Sequence, residues 1–241
     1  MGLRHGEGIA NPSAAQNNVA LGFPISPVDC RAAPNDNDPH MTVLAYPSYG
    51  GRRAAVDRAW WAPGSKTEVN VSGDLHDQIF HEVLPQELYV DVGANVGQMA
   101  MPGLVANKTT YAFDPLAYDV TKLCAGVKEN LKRAWATEEN AAKVHIFHAL
   151  VGNESRANVS ISRPEAAFGK FEQASVFPQT IGVVRKPKLE TEYVPMVTLD
   201  AMVPADMPVG LVKIDVQGFE LPVVQGAGTV LAAPGVHLFV S

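Results

Sequence analysis

The stretch Leu88–Gln98, LYVDVGANVGQ, constrains the fold of this chain more than any other segment. Leu88–Val92 is rich in strand formers, and Gly93 and Gly97 then bracket an asparagine. A strand that turns sharply into a helix needs glycine where the backbone folds tightly or is closely approached. Asn95 tolerates the left-handed conformation, so the turn survives at that position. The pattern predicts a buried strand, a tight loop and a helix, with Asp91 at the carboxyl end of the strand.

The segments that follow alternate. TTYAFDP (109–115) reads as a second strand and KVHIFHALVG (143–152) as a third. Between them LAYDVTKLCAGVKENLKRAWA (116–136) reads as a helix, because Tyr118, Leu123, Val127, Leu131 and Trp135 recur near helical spacing. NVGQMAMPGLVANK (95–108) reads as a helix weakened by Pro102 and Gly103. GLVKIDV (210–216) and GVHLFVS (235–241) read as strands, with ELPVVQGAGTVLAA (220–233) as one helix between them. ANVSISRP and EYVPMVTLDAMV flank a middle stretch with no assignable pattern. Upstream, MTVLAYP (41–47) suits a strand, GRRAAVDRAWWAPG (51–64) a short helix or a loop, and DLHDQIFHEVLP (74–85) a short helix ended by Pro85.

Near-continuous apolar strands alternating with helices predict an α/β fold, a mostly parallel sheet with helices on both faces. Ligands of such sheets lie at the carboxyl ends of the strands, at a topological switch point. Asp91–Gly97, Asp114 and Asp215 all fall there. The organisation expected is an N-terminal segment over 1–74, partly disordered and a possible cap, followed by a single α/β domain over 75–241.

The glycine loop discriminates between ligands. In a dinucleotide fingerprint the second glycine lets a diphosphate lie against the backbone. Here that position is Asn95, whose side chain intrudes, so a nucleoside-like ligand without a diphosphate fits better than NAD. S-adenosylmethionine is such a ligand. Its ribose hydroxyls need acceptors, and Asp114, 21 residues after Gly93, stands at the acidic ribose-binding position. Asp91 is placed to anchor the methionine ammonium, directly or through water. In KIDVQGFELPVVQGA (213–227), Asp215 ends a buried strand where it would sit beside a reacting methyl group. Glu220 opens the next helix, where capping explains a carboxylate as well as catalysis does.

Composition removes other classes. A net charge of −6 and a pI near 5.6 argue against a nucleic-acid binder that works through a basic surface. The densest basic cluster, VRKPK (184–188), suits a solvated loop. Cys30 and Cys124 form no CxxC pattern; two unrelated thiols is the preferred reading, with a single disulfide as the alternative. His145 and His148, three apart on a strand, point to opposite faces, and His76 and His81 lack an acidic cluster, so no metal site is expected. No apolar run is long enough to span a membrane. The N-terminus lacks the apolar core of a signal peptide and the hydroxyl of a myristoylation motif, which makes the cytoplasm the default expectation. Asn70, Asn107, Asn153 and Asn158 begin glycosylation sequons, against roughly one expected by chance, so the secretory lumen is the alternative.

YVDVGANVGQ, YAFDP, VTLDAMV and VKIDVQGFELPVVQGA, in that order and spacing, resemble the FkbM-type family of S-adenosylmethionine-dependent methyltransferases over roughly residues 75–241. The resemblance implies a Rossmann-like sheet that methylates an oxygen, often a hydroxyl on a sugar, a lipid or another small molecule. It implies that Asp91, Gly93, Asn95 and Gly97 line the methionine end of the cofactor and that Asp114 holds the ribose. Asp215 and Glu220 would face the methyl and the acceptor. The family more often has glutamate where this chain has Asp114. Folds of this kind continue past the strand at VHLFVS with a helix and an antiparallel strand pair. The expectation is therefore a sheet without those C-terminal strands: a fragment, a degenerate protein, or a chain whose edge is covered by a partner or a second copy. The rival readings are a catalytically inactive binding module on the same fold and, further off, an NAD(P)-dependent oxidoreductase.

Overall fold

The computed structural model describes residues 21–33, 43–45, 56–58, 83–84, 86–164 and 189–241. The helix expected over 74–85, His76, His81, Asn70 and the VRKPK cluster lie outside the described residues, apart from Val83 and Leu84. Strands β1 (Val43–Ala45) and β2 (Val56–Arg58) pair antiparallel. The segment read as a short helix or a loop thus contains a strand. Next come β3 (Leu88–Val92), α1 (Ala100–Val105), β4 (Thr109–Asp114), α2 (Ala117–Lys132), α3 (Glu138–Ala142) and β5 (Val144–His148). Then follow β6 (Leu150–Val151), β7 (Arg156–Pro164), β8 (Leu189–Val197), α4 (Leu199–Met202), β9 (Val209–Ile214), α5 (Glu220–Gln225), α6 (Gly228–Ala232) and β10 (His237–Val240).

The central sheet has the order β10-β9-β3-β4-β5, and every pairing in it is parallel. This is the parallel α/β sheet that the alternating pattern predicts, and it is consistent with the Rossmann-like sheet that the resemblance implies. The β3 strand lies at its centre and is buried along its whole length. Its alternate residues face opposite ways: Leu88, Val90 and Val92 join the main core with Val212 and Ile214, while Tyr89 packs with Leu211 and Met99. Each such aliphatic side chain contributes about 1.5–3 kcal/mol on burial, and covering both faces explains why these strands carry no polar alternation. The outermost strand, β10, is largely exposed, with Leu238 and Val240 each 47% accessible.

The predicted elements needed three further corrections. The third strand is two: β5 ends at His148, Ala149 N–H donates to the Asp114 carbonyl, and β6 leaves for a three-stranded sheet of order β6-β8-β7. That sheet is mixed, with β7 antiparallel to β8. The last helix is also two, α5 and α6. They break where a Cβ on Gly226 would lie 1.9 Å from the Gly152 carbonyl oxygen, so the backbones touch at that turn. VTLDAMV forms the end of β8 and α4. Thr198 accepts a hydrogen bond from Ala201 N–H, and the Asp200 carboxylate accepts from Thr229 and Val230 N–H at the start of α6. These are capping bonds that satisfy otherwise orphaned donors.

The third correction concerns the cysteines. Cys30 and Cys124 are joined in a disulfide, their Cα atoms 4.8 Å apart across 94 residues of sequence. The segment 21–33 runs over the sheet and α2, where Val28 N–H donates to the Ile146 carbonyl and Leu21 and Ile25 enter the main core. That packing delivers Cys30 to the buried Cys124 on α2. The sequence spacing carried no sign of it, because the pairing is purely tertiary.

Candidate functional site

The carboxyl ends of β3, β4 and β9 meet at one rim of the sheet. The loop leaving β3 is held by its own hydrogen bonds. Gly93 and Ala94 N–H both donate to the Phe113 carbonyl, and Gly97 N–H donates to the Ala94 carbonyl. Asn95 N–H donates to Asp114 Oδ2 at 2.8 Å, and Val96 N–H donates to Asn95 Oδ1 at 2.7 Å. Asn95 has φ +49°, the left-handed conformation its type tolerates. Every backbone N–H from 93 to 97 is thus satisfied inside the protein. A diphosphate cradle needs such donors to point at the ligand, and this loop presents none over those residues.

Gly93 is required for a second reason besides its φ of +73°. A Cβ there would lie 1.9 Å from the Asp215 carbonyl oxygen, and Asp215 N–H in turn donates to the Val92 carbonyl at 3.0 Å. The two strand ends singled out in the sequence therefore touch backbone to backbone.

Asp114, only 5% exposed, accepts from two backbone N–H groups, Asn95 on one oxygen and Leu116 on the other at 2.9 Å. Burial raises its pKa from 3.8 to about 6, against the lowering effect of those two hydrogen bonds and of the more distant Lys213. Each carboxylate oxygen keeps a second lone pair after accepting one bond, so the group can still receive hydroxyl donors.

Asp91 is fully buried, with Lys213 Nζ 3.1 Å from its carboxylate. Burial holds the Asp91 pKa above the ordinary carboxylate range; Lys213 opposes that shift and the Asp215 charge adds to it. The neighbouring Tyr89 phenol is pushed well up, by burial first and the Asp91 charge second. Lys213 Nζ also donates to the Gly93 carbonyl at 2.7 Å. This lysine escaped the sequence reading. The available signal was a single cation inside the apolar strand LVKI, and the register sets it directly beside Asp91.

Asp215 is half-buried just beyond β9, and its carboxylate accepts from the Gln217 side-chain amide at 3.1 Å. Gln217 and Gly218 both have positive φ, +54° and +95°. Glu220 closes this turn by accepting from Gly218 N–H at 2.9 Å, a bond to the residue before the N-cap Phe219 and not to the first donors of the helix. The structure therefore gathers Gly93, Asn95, Gly97, Asp114, Asp215 and Glu220 around adjoining loops. Asp91 lies beneath them, tied to Lys213. The two strand histidines are otherwise engaged: His145 packs edge-on to Tyr111, and His148 Nε2 lies 3.1 Å from the Pro115 carbonyl.

Among the described residues the rim is acidic. Asp114, Asp215 and Glu220 border it, and the buried Lys213 is already paired with Asp91. Such a surface suits a cationic ligand and disfavours a polyphosphate. The sequence matches the family described as Methyltransferase FkbM domain over residues 91–239, from Asp91 to the last strand. No curated protein and no solved structure matches the chain.

Proposed function

The chain belongs to the FkbM methyltransferase family, and on that premise we propose that it transfers a methyl group from S-adenosylmethionine to a hydroxyl on a sugar, a lipid or another small molecule. The observation that carries this reading is the closed loop 93–97 beside Asp114. It has no backbone donor left for a diphosphate, yet keeps a carboxylate suited to ribose hydroxyls. The same observation weighs against an NAD(P)-dependent oxidoreductase.

The cofactor supplies a methyl group made electrophilic by its sulfonium. Asp114 accepts the ribose hydroxyls, and its ionised form is the competent one because only that form offers lone pairs without a competing proton. Gly93, Asn95 and Gly97 shape the wall against the methionine portion. Asp91 acts from below, by fixing Lys213 and through it the Gly93 carbonyl. Asp215 faces the acceptor and either takes its proton or orients the hydroxyl, work of the kind that contributes about 10²–10⁴-fold to such reactions. Holding the acceptor oxygen in line with the departing sulfur contributes the rest. Glu220 fixes the turn that carries Asp215.

Calorimetric titration of S-adenosylmethionine into the purified chain, beside Asp114→Ala, tests this. Micromolar binding that the variant abolishes is expected. A folded wild-type chain that does not bind overturns the reading. Binding without turnover across hydroxyl acceptors favours the inactive module.

A further inference from the structure

Both cysteines of the chain are consumed in one disulfide, and it joins the segment 21–33 to α2 beneath the cofactor-side loop. Disulfides of this structural kind form and persist in oxidising compartments and are rare where glutathione keeps thiols reduced. The same compartments in eukaryotic cells attach glycans to Asn-X-Ser/Thr, and the three described sequons, at Asn107, Asn153 and Asn158, all present an exposed asparagine. The disulfide and the sequons are independent observations that agree on one cellular environment.

We propose that Asn107 and Asn158 are N-glycosylation sites and that the chain matures in an oxidising, secretory-type lumen. In that reaction the side-chain nitrogen Nδ2 displaces the diphosphate from C1 of a glycosyl diphosphate. A C1–N bond forms, the C1–O bond breaks, and the amide loses one proton. The amide oxygen is unchanged. This suits Asn107, where Oδ1 accepts a hydrogen bond from Lys143 Nζ at 2.9 Å, a contact that survives glycosylation. Asn107 sits in the turn before β4, with φ +59°, at the end of the sheet opposite the rim. A glycan there leaves the cofactor loop and Asp215 uncovered.

Asn158 lies on β7, the edge strand of the mixed sheet, within the register irregularity between Arg156 and Val159. Edge strands invite pairing with other chains, and bulges or bulky solvated groups block it. A glycan on Asn158 would shield that edge. Asn153 is a poorer site, because its Nδ2 already donates to Gln225 Oε1 at 3.4 Å.

The test uses the full chain isolated from the cells that make it. Enzymatic glycan release in heavy-oxygen water converts each formerly glycosylated asparagine to a labelled aspartate, read by peptide mass spectrometry. Labelled Asp at positions 107 and 158 is the expected result, with one gel-mobility step lost in each of Asn107→Gln and Asn158→Gln. Label at one position supports that residue alone. A chain unlabelled at both overturns the proposal. Alkylation of Cys30 and Cys124 without prior reduction overturns the compartment argument separately. Asn107 lies at the end of the sheet opposite the rim, and glycan occupancy is read by mass without any cofactor, so this result is independent of cofactor binding.

Discussion

The loops that leave β3 and β9 are built from the same parts and end up in opposite states. Each follows a buried parallel strand, each pairs an acid with a glycine turn, and each holds a non-glycine residue at positive φ, Asn95 in one and Gln217 in the other. Around the first, Asp91 and Asp114 are buried and bonded to a lysine or to backbone N–H groups. In the second, Asp215 and Glu220 are partly exposed, and among the described residues their carboxylates accept from a glutamine amide and a turn N–H. The difference teaches that the carboxylates of the first region are fixed in place before any ligand arrives, while Asp215 is held lightly.

Substitutions ranked by their effect on stability should break along that line. Gly93→Ala should be the most damaging, since its Cβ meets the Asp215 carbonyl and its φ is positive. Overpacking of this kind costs about 1–3 kcal/mol, and backbone strain adds about 1–3 kcal/mol more. Denaturant unfolding checks it, and a loss below about 1 kcal/mol would break the claim of rigid contact.

Lys213→Met comes next, because it strands the buried Asp91 charge; breaking such a pair costs about 3–5 kcal/mol. The double variant Asp91→Leu/Lys213→Met should recover most of that stability, yet bind S-adenosylmethionine at least tenfold more weakly, because the Gly93 carbonyl has lost its donor. Equal affinity in the double variant would reduce the pair to a purely structural role.

Asp114→Asn should act through pH. A carboxyl whose folded pKa is raised binds its proton more tightly in the folded state. Its stabilising effect is full below 3.8 and is lost as pH rises through about 6. The span corresponds to at most about 3 kcal/mol. The half-buried His145, with its pKa lowered by desolvation, works in the other direction and weakens the fold as pH falls. The informative quantity is therefore the difference between wild type and variant in thermal unfolding from pH 4 to 7. Cofactor affinity should rise with pH through the same midpoint in the wild type and stay flat in the variant.

Asp215→Asn sits at the bottom of the stability ranking, within about 0.5 kcal/mol of wild type, while methyl transfer falls about 10²-fold or more. A destabilisation matching that of Lys213→Met would erase the contrast between the two loops.

Much of this was legible in the sequence for physical reasons. Residues buried on both faces leave strands without polar alternation, so β3, β4 and β9 announced themselves, and Asn95 declared its own left-handed turn. Asp114 was visible as an acid closing a strand. Contacts set by tertiary approach were not visible. Nothing near Cys30 points to Cys124, and nothing near Gly226 points to the Gly152 carbonyl that ends α5. Lys213 looked like an ordinary strand lysine until register placed it beside Asp91. Glu192, at the start of EYVPMVTLDAMV, turned out to cap α2 through Ala117 N–H at 3.0 Å.

The contact between Gly93 and the Asp215 carbonyl also limits how this chain can be re-engineered. A chimera whose crossover falls between residues 97 and 211 would draw the glycine from one parent and the carbonyl that fills its missing side chain from another. Small differences in strand length or twist would then become a collision or a gap at the centre of the rim. Grafts intended to change the methyl acceptor should therefore carry both loops together, as a single heritable cassette.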